Sequence, residues 1–163
     1  MRGIVRDPEE LLRSTGCPEH VIRHSRAVRD CALGFCGVPE VDTDLVREGA
    51  MLHDIGRSET HGIGHAQAGA AICRSLSCPE EVVRIVERHI GAGLTADECA
   101  LLRLAPRDCV PRSLEEKIVA NADNLVRGDR VTSIYDLMIH AAPLPRKARA
   151  RIFRLSMEME LFR

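Results

Sequence analysis

Met51-Leu52-His53-Asp54-Ile55-Gly56-Arg57 is the stretch that decides how this chain is read. It closes a helix predicted over 44–55 whose apolar residues, Leu45, Val46, Ala50, Met51, Leu52 and Ile55, lie on more than one side. A helix that is apolar nearly all round is usually central and buried. This one nevertheless ends in a histidine and a carboxylate side by side. Buried charge is costly unless something compensates it, and a metal ion is one such compensator. Other His and Asp residues in equally unexpected places therefore become informative.

Outward from this stretch, helical periodicity governs the chain, with no convincing strand alternation. Asp7-Pro8 starts a short helix to about residue 13. Pro18 opens a second, to about residue 36, where Gly37 and Pro39 stop it. Asp42 or Thr43 caps the helix of the opening stretch, and Gly56 ends it. A polar, Gly-rich loop over 57–64 leads to a helix at about 65–76, rich in Ala66, Ala68, Gly69, Ala70 and Ala71. Pro79 begins a fifth helix, ended by Gly91-Ala92-Gly93. Thr95 with Glu98, and Ser113 with Glu116, form capping boxes for two more, the second running to about residue 126. Residues 131–140 and 146–162 read as the last helices. The expectation is an all-α globule of about eight or nine helices in one domain over 1–163. Its motif-bearing core spans about 20–127, and the helices of 131–163 pack on that core.

A chain of 163 residues can bury a real core. A net charge of -1 exerts no overall pull on nucleic acid or anionic membrane. Phe35, Tyr135, Phe153 and Phe162 are its only aromatic residues, too few for base-stacking platforms. No stable nucleic-acid complex is therefore expected. Seven cysteines, an odd number with no CxxC pair and no signal peptide, read as reduced thiols in a cytoplasmic protein. No apolar run approaches the roughly 20 residues that cross a bilayer.

Residues three or four apart share a helix face. On that basis His24 lies between Val21 and Val28, and His65 shares a face with Ala68, Gly69 and Ile72. His89 follows Val82, Ile85 and Val86, while Asp123 lies between Val119 and Val126. With His53 and Asp54, six ionisable residues from five helices occupy positions where core residues are expected. A single case is commonly a core histidine bonded to a carbonyl; six together are harder to explain so. Asp54 and Asp123 need cationic or donor partners, and no Lys or Arg shares their faces at close spacing. Four imidazoles and two carboxylates suit Fe, Mn, Ni, Co or Zn better than thiolate-seeking metals. Six ligands exceed what one catalytic zinc takes, which favours two metals or one octahedral ion. Spacing alone leaves His20 beside His24, and His61 beside His65, as competing ligands.

The order His24, His53-Asp54, Asp123 resembles the H…HD…D signature of HD-domain metal-dependent phosphohydrolases. His53-Asp54-Ile55-Gly56 looks like the HDIG subgroup. His24-Ser25-Arg26-Ala27-Val28 resembles the first histidine motif, and Asn121-Ala122-Asp123-Asn124-Leu125 the closing one. His65-Ala66-Gln67-Ala68-Gly69-Ala70 and Glu87-Arg88-His89 resemble the additional histidine segments of dinuclear members. The resemblance implies an all-α fold with one or two divalent transition metals between central helices. His24, His53, Asp54 and Asp123 would be core ligands, Asp54 would bridge two metals, and His65 and His89 would complete the second site.

The implied activity is hydrolysis of a phosphomonoester, phosphodiester or nucleotide by a metal-activated hydroxide, with a small, nucleotide-like phosphorylated substrate. Asp54, Arg57 and His61 would be the catalytic group. Arg57 stands where the family often has Lys and would grip phosphate; His61, in the Gly-rich loop, would sit at the mouth and give a proton to the leaving oxygen or orient substrate. No GYP motif follows His89, which argues against a cyclic-di-GMP phosphodiesterase of the HD-GYP kind. Two other readings are a di-iron oxygenase on the same ligand set and a non-catalytic, metal-stabilised nucleotide-binding module. The last helix carries enough apolar surface to join a homodimer, although packing on its own domain is the simpler expectation.

Overall fold

The computed structural model describes residues 7–163; the first six residues of the expected domain lie outside the described part. The fold is all-α apart from one small hairpin. Its helices are α1 (Pro8–Ser14), α2 (Glu19–Leu33), α3 (Thr43–Leu52), α4 (His65–Ser75), α5 (Glu80–Glu87), α6 (Ala96–Leu101), α7 (Leu114–Leu125), α8 (Ile134–Ala141) and α9 (Arg146–Met159). Short 3-10 turns follow α3, at Ile55–Ser58, and α9, at Glu160–Phe162. The caps formed with one correction: Thr95 and Glu98 make a full capping box, whereas Glu116 turns its carboxylate to the Arg112 N–H and Arg88 and not back to Ser113. The Asp7, Asp42, Thr95 and Ser113 side chains each accept a backbone N–H of the helix they precede.

Four local expectations need correction. The second helix stops at Leu33 and not near residue 36. The helix of the opening stretch stops at Leu52, so His53 is its C-cap and Asp54 lies beyond it. Residues 126–131, predicted free of strands, form a two-stranded antiparallel ribbon in which β1 (Val126–Arg127) pairs with β2 (Arg130–Val131). The turn between them passes through Gly128 at φ 59°, which L side chains rarely adopt. That ribbon displaces the start of the next helix from 131 to Ile134.

The core surrounds α3, which packs on α1, α2, α5 and α7. Val46 and Ala50 join a cluster with Val28, Ile85, Val119 and Ile152. Met51, Leu52 and Ile55 join a second with Val21, Ile22, Ala70, Val83 and Val86. The small residues of α4 serve close approach: a Cβ on Gly69 would come within 2.8 Å of the Val86 side chain. α9 buries Ile152, Leu155 and Met159 against its own chain and leaves Phe153 exposed, and Leu161 in the 3-10 turn after it is exposed too. All seven cysteines are free thiols. No helix among the described residues is long and apolar enough to cross a membrane.

Candidate metal centre

Five structural elements converge on one point. His24 comes from the middle of α2 and Asp123 from the last turn of α7. His65 is the first residue of α4. His53 and Asp54 follow α3, and His89 follows α5 by two residues. His89 was expected on the fifth helix; it stands instead just past its end. Asp54 adopts φ -100°, ψ 14°, in the sparsely allowed bridge region that often holds active-site residues.

The chain brings together all six residues singled out as ligands. His24 Nε2 lies 2.9 Å from Asp123 Oδ1 and 3.9 Å from Asp54 Oδ2. His53 Nε2 lies 3.4 Å from Asp123 Oδ1 and 3.6 Å from Asp54 Oδ2. On the other side of the same carboxylate, Asp54 Oδ1 lies 3.1 Å from His65 Nε2 and 3.5 Å from His89 Nε2. Asp54 therefore turns one oxygen to each pair of histidines.

Each imidazole is held by its other nitrogen. The Nδ1–H groups donate to backbone carbonyls: His24 to Gly128 at 2.6 Å, His53 to Ala50 at 2.7 Å, His65 to Gly62 at 2.8 Å and His89 to Val86 at 2.7 Å. A carbonyl can only accept, so Nδ1 carries a proton and Nε2 is the nitrogen left to face the centre. Sequence inspection missed these anchors because they are main-chain groups. Three sit at helix ends or the loop before α4, and the fourth is supplied by the β1–β2 turn.

Among the described residues, Arg57 is the one Arg or Lys that forms an ion pair with a carboxylate of this cluster. His65 Nε2 and His89 Nε2 face each other at 3.1 Å with both Nδ1 positions already protonated. His53 Nε2 and Asp54 Oδ1 are buried without a hydrogen bond. Burial disfavours a charged His53, yet Asp54 and Asp123 beside it raise its pKa to about 9. Burial also works against the Asp54 and Asp123 carboxylates, but His53 and the other imidazoles hold both well below the usual range. His89, fully enclosed, is pushed down by burial. Lone pairs and carboxylates converging on orphaned buried atoms are the donor set that divalent ions satisfy. Two overlapping triads could each hold an ion: His24, His53 and Asp123, and His53, Asp54 and His89.

Arg57 corrects one expectation. It does reach a carboxylate: the 3-10 turn returns its Nε to within 2.9 Å of Asp54 Oδ2, and its Nη1 donates to the His61 carbonyl at 3.3 Å. The two stand three residues apart, the spacing that shares a helix face, so this partner was open to the spacing rule. His61 is exposed and lies beside His20, with ring centroids 6.3 Å apart. Both line an open pocket of about 380 Å³ together with His24, Asp54, Arg57 and Arg23. His61 is thus at the mouth and outside the six-residue cluster. His140, exposed on α8, stands apart from the cluster too.

A four-segment site of this kind, carried by helices around a central His-Asp pair, defines a class. The chain belongs to the HD domain family, whose model matches residues 21–128. Among its relatives, an uncharacterized protein of Methanocaldococcus jannaschii is 48% identical over 127 residues, covering 75% of each chain. A tRNA (cytidine(56)-2'-O)-methyltransferase of Picrophilus torridus is 45% identical over 128 residues; the match covers 78% of this chain and 38% of that protein. This chain thus spans well under half the length of the methyltransferase. Among solved structures, the HD domain of the L. monocytogenes phosphodiesterase PgpH, in complex with cyclic-di-AMP, superposes with a TM-score of 0.60 at 15% identity. That likeness covers 93% of this chain and 95% of the other, and it shows a shared fold.

Proposed function

We propose that this chain is a metal-dependent phosphohydrolase acting on a nucleotide-like phosphoester, with His24, His53, Asp54, His65, His89 and Asp123 as metal ligands. The split of Asp54, one oxygen toward His24 and His53 and the other toward His65 and His89, carries this reading. It is the placement a bridging carboxylate needs between two ions. Bound divalent ions would lower the pKa of water toward neutrality and offset charge on phosphoryl oxygens.

The chain's own residues supply the rest. Carbonyl anchors hold four imidazoles with Nε2 turned to the centre, so an arriving ion would displace a proton only where the carboxylates hold one, as at His53. Arg57 steadies Asp54 through Nε and, at the edge of the pocket, offers the rest of its guanidinium to a phosphoryl oxygen. Water adds to phosphorus as the bond from phosphorus to the leaving oxygen breaks. That oxygen needs a proton, and His61, lining the same pocket, is the donor in this reading. Support for a nucleotide comes from the structural neighbour, whose bound ligand is one.

Metal content per chain, measured with hydrolysis of phosphoesters under added Mn, Co, Ni or Fe, tests the proposal. About two ions with turnover is the expected result. One ion with turnover would restrict the centre to His24, His53, Asp54 and Asp123. No ion and no turnover after reconstitution would overturn it. Dioxygen consumption in place of hydrolysis would turn the same centre into an oxygenase. Arg57→Ala is expected to keep its metal while kcat/KM falls by roughly a hundredfold, the scale of losing one transition-state donor; elemental analysis and steady-state kinetics check both halves.

A further inference from the structure

Two pockets meet at the centre, and they differ in chemistry. Both are lined by His24, Arg57 and Gly128. The one of about 380 Å³ opens on Asp54 and carries the cationic or polar side chains of His20, Arg23 and His61. The other, of about 450 Å³, opens on Asp123 and is walled by Leu137, Ala141, Leu144 and Ile152. Those four residues come from α8, the loop after it and α9, and all lie beyond the stretch matched by the family model. We propose that α8 and α9 form a nucleoside subsite, so that the substrate is a phosphodiester with a nucleoside on this side and an anionic group on the other. This rests on the phosphohydrolase reading above.

The wall offers what a heterocycle needs: an apolar face with a few polar groups at its edge. Leu137, Ala141 and Ile152 are fixed in the core, whereas Leu144 is 43% exposed and free to close on a ligand. Asn124 donates its Nδ2 to the Gly91 carbonyl at 2.9 Å, which leaves its Oδ1 as an acceptor. His140 donates Nδ1–H to the Asp136 carbonyl at 2.9 Å and so presents Nε2 as a second acceptor. Arg127, also lining the pocket and exposed, adds a donor. No Phe, Tyr or Trp lines it, so the walls are aliphatic and the imidazoles of His24 and His140 are its aromatic rings. A volume of about 450 Å³ falls within the roughly 300–1,000 Å³ of small-molecule sites. A phosphoryl group over the centre has one substituent directed into each pocket, which a monoester cannot provide.

The test uses the manganese-loaded chain and two probes that share a leaving group: the p-nitrophenyl ester of thymidine 5'-monophosphate and methyl p-nitrophenyl phosphate. Leu144→Asp is expected to lower the ratio of kcat/KM between thymidine and methyl probes by about tenfold, the scale of lost apolar contact in a specificity pocket. Ile139→Asp, on the exposed side of α8 and outside the pocket, is expected to leave that ratio unchanged. Calorimetric binding of thymidine 5'-monophosphate supplies the readout that does not depend on turnover, and it should weaken in Leu144→Asp by a similar factor. Turnover of both probes with an unchanged ratio and unchanged binding overturns the subsite and leaves the hydrolase standing. Nucleotide binding that responds to Leu144→Asp, without turnover of either probe, upholds the subsite and overturns the hydrolase. Absence of both turnover and binding in the unmodified chain overturns both.

Discussion

Asp54→Ala is expected to abolish hydrolysis, by on the order of a thousandfold or more, and to strip the chain of its metal at the same time. The reason is positional. Asp54 is the residue that both halves of the centre share, with Oδ2 facing His24 and His53 and Oδ1 facing His65 and His89. Removing it also frees Arg57, whose Nε is bound to Oδ2. The substitution therefore takes away the carboxylate that faces both histidine pairs, an anchor for the guanidinium and a negative charge beside buried imidazoles. Elemental analysis beside the kinetics separates these roles, and far-ultraviolet circular dichroism checks that the helices persist. Activity equal to that of the unmodified chain would end the assignment of Asp54.

Gly56→Ala is expected to destabilise the chain by about 3 kcal/mol and to lower metal affinity, although Gly56 ligates nothing. A Cβ at this position would lie 1.8 Å from the His65 carbonyl oxygen and 2.6 Å from the Gly69 backbone nitrogen. Both are main-chain atoms of α4, so no side chain can swing aside to make room. The 3-10 turn and α4 must separate, and His65 moves with α4. The φ of Gly56 is not the issue; the requirement is for the absence of a side chain where two backbones touch. Denaturant unfolding gives the stability change, and metal titration of the folded fraction gives the second effect. Unaltered unfolding would show that α4 tolerates the displacement.

Much of this was visible in the chain before its fold. The His24, His65 and Asp123 positions stood out because an ionisable residue interrupted an apolar helical face, and the His53-Asp54 pair because it ended a helix apolar on more than one side. Proline and capping residues placed the helix starts well, since those signals are local. The ends were less legible. α3 stops at Leu52 because the chain there passes into a 3-10 turn, and α5 releases its chain before His89. Apolar residues continue past both points, so periodicity could not mark them. The β1–β2 ribbon escaped notice because two-residue strands leave no alternation to detect. The four carbonyl anchors depend on how loops return, which no spacing rule reports, whereas the Arg57–Asp54 contact has the three-residue spacing of one helix face.

The distance in sequence between the residues at the centre has a consequence for how the protein is made. His24 and Asp123 touch across 99 residues of chain, and the carbonyl that orients His24 belongs to Gly128. Nothing short of nearly the whole core can assemble the six groups, because closure over such a span waits for the helices between. A growing chain released before α7 has emerged holds His53, Asp54, His65 and His89 but neither Asp123 nor the anchor for His24. Acquisition of the full centre therefore reports that synthesis has passed residue 128 and that folding has followed it.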